Sequence, residues 1–310
     1  MTSFEIPDSE LASIKDQVVI ITGASSGIGL ATLRRIIKHG GKVFASDLNP
    51  LPEPEKSSVP FLKVDVTSWK DQVELFKAAE KEYGTIDHVF ANAGIGPTVT
   101  LLEDDVDENG DLLPPKLNTV NVNLLGCMYT VKLAIFHLKK NSHGGSIVMT
   151  ASASSFARFP ATDYTTAKHA VLGLLRSLHG HLYPKLPIRI NAIAPSWTET
   201  AIVPREVIAA LGKGNYQSAD VVARSVTLLM ADATRHGELV YSDCGKFKDL
   251  ENGEMGYHAV TRRMLGVGDG GEMSETGVLK KLSKLAAEAG ADREKEGVNK
   301  GLDSLKGVVE

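Results

Sequence analysis

The chain has 310 residues, of which 43% are hydrophobic and 23% charged, with 29 Gly and 13 Pro; this ordinary globular composition excludes disorder, collagen and coiled coil for its bulk. Its 34 Lys and Arg against 38 Asp and Glu leave a net charge of −4, so there is no basic surplus to neutralise phosphates, and neither nucleic acid nor an anionic membrane is an expected partner. Length alone leaves one or two domains open.

Met1-Thr-Ser-Phe-Glu-Ile-Pro-Asp8 lacks the basic and then apolar pattern of a signal peptide, and no apolar run approaches the ~20 residues of a bilayer span. Gly307-Val-Val-Glu310 carries neither a prenylation box nor a retention signal. Cys127 and Cys244 are too few for a disulfide framework. A reducing, cytoplasmic setting is expected.

From Gln17 onward short apolar runs alternate with longer stretches of helical period, the pattern of repeated βαβ units around a parallel sheet. Strands are predicted at residues 18–22, 42–47, 61–65, 88–92, 146–150, 189–194 and 238–243. Helices are predicted at residues 28–39, 69–83, 117–140, 164–183, 203–211 and 219–231. The expected fold is a single doubly wound α/β domain, residues 1–250, with a seven-stranded parallel sheet. Residues 102–113 hold six acidic and no basic side chains, and read as a solvated loop or a substrate gate. Residues 251–310 are expected to form a C-terminal extension. In it Val278, Leu279, Leu282, Leu285, Ala286 and Ala289 recur at helical spacing, Gly290 stands as a C-cap, and a frayed end follows from Ala291.

The first predicted strand runs into Thr22-Gly-Ala-Ser-Ser-Gly-Ile-Gly29 at the start of a helix, where backbone N–H groups and the helix dipole suit a pyrophosphate. Gly23 can take a turn conformation, Gly27 permits close approach of phosphates, and Gly29 lets helix and strand pack together. Asp47 ends the next strand, 18 residues past Gly29, where adenine-ribose hydroxyls should lie. Neither Ser26 nor Leu48 offers a cation for a 2′-phosphate, so NAD is expected rather than NADP. Tyr164 and Lys168 stand four apart, hence on one helix face, and Ser152 follows a predicted strand end, where ligands gather in such sheets. Neither a His-Glu-x-x-His nor a Cys/His cluster occurs, so no metal is expected.

With these residues in order, and with Asp65-Val66, Asn92-Ala-Gly94, Val122-Asn-Leu-Leu-Gly126 and Asn191-Ala-Ile-Ala-Pro-Ser-Trp-Thr-Glu-Thr200 added, residues 15–247 resemble the short-chain dehydrogenase/reductase family. The resemblance implies a Rossmann fold and an NAD-linked oxidoreductase. It assigns Tyr164 as acid/base, Lys168 to lower its pKa and hold the nicotinamide ribose, Ser152 to orient the substrate oxygen, and Asn123 to anchor a proton relay. Cofactor contacts are implied for Gly23, Ser25, Ser26, Gly27, Ile28, Gly29, Asp47, Leu48, Asp65, Val66, Asn92, Ala93, Gly94, Tyr164, Lys168, Pro195, Trp197, Thr198 and Thr200. Tyr164 follows Ser152 by twelve residues where many members have thirteen, which leaves Ser154 as the alternative to Ser152, and Ser196 replaces the usual Gly after Pro195.

Residues 196–215 form the expected substrate lid, with Trp197, Ile202, Val203, Phe156 and Phe159 as candidates to line an apolar pocket. The pattern is similar to that of 15-hydroxyprostaglandin dehydrogenase-like members, which implies oxidation of a secondary alcohol on a lipid, steroid, terpenoid or polyketide, in specialised metabolism. The resemblance also implies a homodimer or homotetramer. The alternative is a non-catalytic NAD-binding sensor or scaffold with the same fold.

Overall fold

All five residues of Val18–Thr22 are buried, and so are the four of His88–Ala91, because helices cover both faces of the sheet that these strands centre. The computed structural model describes residues 3–98, 101–266, 281, 284 and 285. The chain divides after Glu251 into two compact units.

The strands are β1 (Ser3–Phe4), β2 (Val18–Thr22), β3 (Lys42–Asp47), β4 (Phe61–Lys63), β5 (His88–Ala91), β6 (Gly145–Thr150), β7 (Ile188–Pro195), β8 (Thr198–Glu199), β9 (Gln217–Ser218), β10 (Leu239–Asp243) and β11 (Lys246–Asp249). The helices are α1 (Gly27–Lys38), α2 (Trp69–Tyr83), α3 (Asn118–Val120), α4 (Cys127–Leu138), α5 (Thr162–Leu178), α6 (Arg205–Leu211), α7 (Ala219–Ala231) and α8 (Tyr257–Met264). In the first unit α1 and α7 pack together on one face of the sheet, while α2, α4 and α5 cover the other.

The main sheet runs β1-β11-β10-β7-β6-β5-β2-β3-β4, and β8 pairs separately with β9. The seven strands expected from the sequence are all present, and every neighbouring pair among them is parallel. The sheet nevertheless has nine strands, because β11 joins β10 antiparallel and β1 joins β11 antiparallel. Cys244 and Gly245 take left-handed φ angles of 47° and 84°, which turns the chain back so that Lys246 faces Asp243. β11 buries one large side chain deeply, Phe247, stacked on Phe4 of β1 at 6.0 Å, too little apolar pattern to mark a strand. Strand order reverses between β2 and β5, so a crevice opens above the C-terminal strand ends at that switch point.

The predicted helix at 117–140 is not uniform. Between α3 and α4 a π-helical turn, Asn121–Gly126, adds a residue to the winding and re-aims Asn123. Gln72, fully buried on α2, holds that turn: its Nε2 donates to the carbonyls of Val66 (2.6 Å) and Gly126 (2.9 Å), and its Oε1 accepts from the Thr130 hydroxyl (2.7 Å). A Cβ at Gly126 would lie 2.8 Å from Val66 Cγ2, so glycine permits the approach. The combined helix Asn118–Leu138 is, over 21 residues, long and apolar enough to cross a membrane by composition, a run the sequence expectation had not marked. It packs against β5 and β6, as a core helix does.

Of the predicted C-terminal amphipathic helix, Leu285 is described, helical and exposed. Val278, Leu279, Leu282, Ala286, Ala289 and Gly290, and the tail from Ala291, lie outside the described residues. Helix α8, within the second unit, was not foreseen in that Gly-rich, charged stretch.

Replacing Gln72 by Leu keeps the volume but strands the buried Val66 carbonyl and removes one partner each from the Gly126 carbonyl and the Thr130 hydroxyl, which still bond each other at 2.9 Å. The expected loss is about 1–3 kcal/mol in unfolding free energy, measured by urea denaturation; an unchanged midpoint would remove the role given to Gln72.

Candidate active site

The loop from β2 to α1 works because three glycines sit where side chains do not fit. Gly23 (φ 68°) faces Ala93, whose Cα would be 2.8 Å from an added Cβ, and a Cβ on Gly29 would lie 2.0 Å from the Gly23 carbonyl oxygen. Gly27 (φ 53°) approaches Thr200 of the lid in the same way, at 3.2 Å. Ser26 is the N-cap of α1, and its side chain caps none of the first-turn amides, which are the groups an anion would use.

Asn92 fastens this loop to the sheet. Its Nδ2 donates to the carbonyls of Thr22 and Gly23 (both 3.0 Å), and its Oδ1 accepts from the Thr150 hydroxyl at the end of β6 (3.0 Å). The amides of Asn92 and Ala93 both donate to Thr22 Oγ1. One amide side chain therefore ties the ends of β2, β5 and β6 beneath the crevice.

That crevice has a volume of about 720 Å³. Of the residues singled out from the sequence, Gly23, Ser26, Gly27, Ile28, Asp47, Leu48, Asp65, Val66, Asn92, Ala93, Gly94, Ser152, Tyr164, Lys168, Pro195, Trp197, Thr198 and Thr200 line it. Ser25, Gly29 and Asn123 do not. Ser25 turns its hydroxyl to the Asn49 carbonyl (2.6 Å) and its amide to Asp47 Oδ2 (3.0 Å), so it shapes the ribose end from behind. Gly29 acts through packing alone. Asn123 is buried, and its amide closes a two-way bond with Ile95, accepting from the Ile95 N–H at 2.8 Å and donating to the Ile95 carbonyl at 2.9 Å.

At the other end of the crevice Ser152 leaves β6 and caps the short 3₁₀ turn Ala153–Ser155, its Oγ accepting from the Ser154 amide at 3.1 Å. The Ser152 hydroxyl and Tyr164 of α5 line the same crevice, and Ser152 acts to lower the Tyr164 pKa. Ser155, not foreseen, knits the loop to the helix: its Oγ accepts from the Ser152 amide (3.1 Å) and donates to the Lys168 carbonyl (2.7 Å). Lys168, one helical turn beyond Tyr164, sends its Nζ to the Thr150 carbonyl at 2.6 Å and lies 5.6 Å from the centre of the Tyr164 ring.

Burial raises the Tyr164 phenol above its ordinary pKa, and Ser152 pulls the other way. Lys168 approaches the ring face and is not among the groups that lower it. Burial also brings the Lys168 ammonium down to about 8, so it is charged at neutral pH but poised to lose its proton in mild alkali. Asp163, just before Tyr164, was missed although an acid in a helix's first turn is a readable signal. Its carboxylate accepts from the Thr98 amide (3.0 Å), the Thr98 hydroxyl (3.1 Å) and the Tyr164 amide (2.7 Å), binding the 95–98 loop to the start of α5. Burial pushes this carboxyl up, but hydrogen bonds from Thr119, Thr98 and Tyr164 outweigh it and leave the group below the usual range.

The lid contributes Trp197, Ile202, Val203, Pro204 and Val207 to the wall. Trp197 meets Phe159 edge-on at 5.9 Å. Phe156 does not line the crevice and instead packs edge-on against Tyr241 at 5.9 Å. Residues 102–113 take no part in the lining; the loop is solvated and closed by a Val106–Leu112 bridge. Among the described residues no cluster of His, Cys, Asp or Glu could hold a metal ion.

Gly29→Ala drives a methyl into the Gly23 carbonyl, so helix and strand must part. Loss of dinucleotide binding in a fluorescence titration, with about 1–3 kcal/mol less stability, is the expected result. Retained binding would show that the cradle does not depend on this approach.

Comparison with known proteins agrees with this geometry. Residues 17–208 match the family described as short chain dehydrogenase. The short-chain dehydrogenase/reductase ascJ of Acremonium egyptiacum is 41% identical over 290 residues, covering 92% of this chain and 97% of that protein. Among solved structures, the ligand-free aldohexose dehydrogenase of Thermoplasma acidophilum aligns with a TM-score of 0.64 at 26% identity, over 76% of this chain and 95% of its own. Levodione reductase aligns with a TM-score of 0.63 at 25% identity, over 74% and 97%. Family match, close relative and fold together make the chain a member of the short-chain dehydrogenase/reductase family of oxidoreductases, which use nicotinamide cofactors.

Proposed function

We propose that this protein uses NAD to oxidise a secondary alcohol to a ketone, reversibly, on a hydrophobic small molecule. The observation that carries the reading is the convergence of Ser152, Tyr164 and Lys168 at one end of a crevice whose other end is a glycine cradle closed by Asp47. The cradle fits a dinucleotide: a Cβ on Gly23 or Gly29 would collide with backbone, and the opening turn of α1 carries no side-chain cap from Ser26. Gly23, Ser26, Gly27 and Ile28 would hold the pyrophosphate, Asp47 the adenine ribose, Asp65 and Val66 the adenine, and Asn92 to Gly94 with Pro195 to Thr200 the nicotinamide half. When bound, an oxidised nicotinamide dinucleotide supplies the hydride acceptor and a positive charge beside Tyr164.

The chain's own residues do the rest. Ser152 holds the substrate oxygen by its hydroxyl, within reach of Tyr164 Oη, which takes the alcohol proton in oxidation and returns it in reduction. Since burial opposes the phenolate and Lys168 alone does not offset it, Tyr164 is a weak base until the positive charge of a bound oxidised dinucleotide is added to the Lys168 ammonium, which stays charged below about pH 8. Trp197, Phe159, Ile202 and Val203 exclude water and favour an apolar substrate body. Asp47 supports NAD over NADP: its carboxylate sits at the ribose end, where a 2′-phosphate would meet like charge, and the cations lining the crevice, Arg158 and Lys168, belong to the chemistry end. Exposed Met128 and Phe136 on α4 support a homodimer or homotetramer.

In a screen of apolar secondary alcohols and ketones followed by nicotinamide absorbance, Tyr164→Phe should lower turnover about 10³-fold while NADH still binds. Oxidation needs the phenolate and reduction the phenol, so oxidation should climb with pH, by up to about tenfold per unit, as reduction falls. Parent-like turnover in Tyr164→Phe would defeat the mechanism. Asp47→Ala should narrow the preference for NAD over NADP by at least about tenfold, the size of a close like-charge contact; a parent that prefers NADP would contradict the role of Asp47.

A further inference from the structure

Four charged side chains line the crevice: Asp47, Asp65, Lys168 and Arg158. Three of them are engaged by the protein. Asp47 accepts from the amides of Ser25 and Asn49, Asp65 from Thr67, and Lys168 donates to the Thr150 carbonyl. Arg158 makes no hydrogen bond, ion pair or ring contact among the described residues. Arg34 is committed to Glu55, Arg35 to Asp220, Arg176 to Glu251 and Arg235 to Glu238, whereas Arg205, likewise unpartnered among the described residues, does not line the crevice.

Its place gives this free guanidinium a meaning. Arg158 stands next to Phe159, which packs on Trp197, and the remaining wall of that end is apolar, with Ile202, Val203 and Val207. Arg158 is exposed as well as lining the crevice, so it stands in solvent until a ligand that fills the crevice displaces water from its guanidinium and strengthens the charge attraction. Guanidinium presents a planar fork of donors that suits an oxygen acid. Resting on the alcohol-oxidation reading above, we propose that Arg158 is a specificity residue. It selects substrates that carry an ionised oxygen acid, a carboxylate or an acidic phenol, at a distance from the reacting carbinol, with the apolar body between them on Phe159 and Trp197.

The test uses the full-length protein and a homologous series of secondary hydroxy acids: 5-hydroxyhexanoate, 7-hydroxyoctanoate, 9-hydroxydecanoate and 11-hydroxydodecanoate. Each is paired with its methyl ester. Because the series scans the span between carbinol and acid, at least one member should be preferred over its ester by about tenfold or more in KM. That acid-to-ester ratio should fall toward unity in Arg158→Gln, persist in part in Arg158→Lys, and shrink with added salt. A phenol-bearing alcohol and its methyl ether form a second pair that separates the two kinds of acid. Equal use of acid and ester at every length, or a preference that survives Arg158→Gln, would overturn the role of Arg158 and leave alcohol oxidation standing. If neither acids nor esters turn over, the oxidation reading fails, and quenching of tryptophan fluorescence by the same probes still decides the subsite. Tighter binding of acids by the parent but not by Arg158→Gln sustains it, and equal binding overturns it.

Discussion

A primary ammonium shut inside a protein needs a partner, and Lys168 has the Thr150 carbonyl at 2.6 Å, at the last residue of β6. The same Thr150 gives its hydroxyl to Asn92, and Asn92 gives its amide to the carbonyls of Thr22 and Gly23. The charge at the chemistry end and the cradle at the phosphate end are thus two ends of one hydrogen-bond chain across β6, β5 and β2. Holding the ammonium there is unfavourable in itself. Burial lowers its pKa from 10.5 to about 8, so between these values the unfolded chain binds a proton that the folded chain has lost, and this group's contribution to stability rises with pH across that window. Below it the fold carries a buried charge that serves chemistry rather than stability.

Tyr164 stands in the opposite condition. Burial keeps its hydroxyl protonated, and the one counteracting influence is that of Ser152. A base that is weak until cationic charge assembles beside it acts only when the site is complete, which limits proton loss in an incomplete one. The surrounding bonds hold the geometry for that moment. Asp163 fixes the start of α5 to the loop at 95–98, and Ser155 joins the exit of β6 to the Lys168 carbonyl, so Ser152, Tyr164 and Lys168 sit on elements that cannot shift independently.

The seven parallel strands were legible because strands covered on both faces must be apolar throughout; Val18–Thr22 and Lys42–Asp47 are read to the residue. β1 and β11 were not, since a two-residue strand and Lys-Phe-Lys-Asp carry no such run. Most of the crevice could be read from glycines and strand ends, whose positions follow from the βα rhythm. Ser25 and Asn123 are different: both lie in the right segments, but which way a polar side chain turns is set by neighbours distant in sequence, Asn49 and Ile95 here. The π-helical turn at Asn121–Gly126 escaped for the same reason, as it depends on Gln72 reaching across from α2. Arg158 gave no sequence signal, because its interest lies in having no partner.

The central claim is that the Tyr164 hydroxyl shares its crevice with the Lys168 ammonium and the reactive end of a bound dinucleotide. An ultraviolet difference titration of tyrosinate, parent minus Tyr164→Phe, with and without NAD, tests it most directly. Tyr164 should ionise above the ordinary tyrosine value in the protein alone and at least about one pH unit lower with NAD bound. An ionisation unmoved by NAD would place the phenol away from the cofactor and contradict the account.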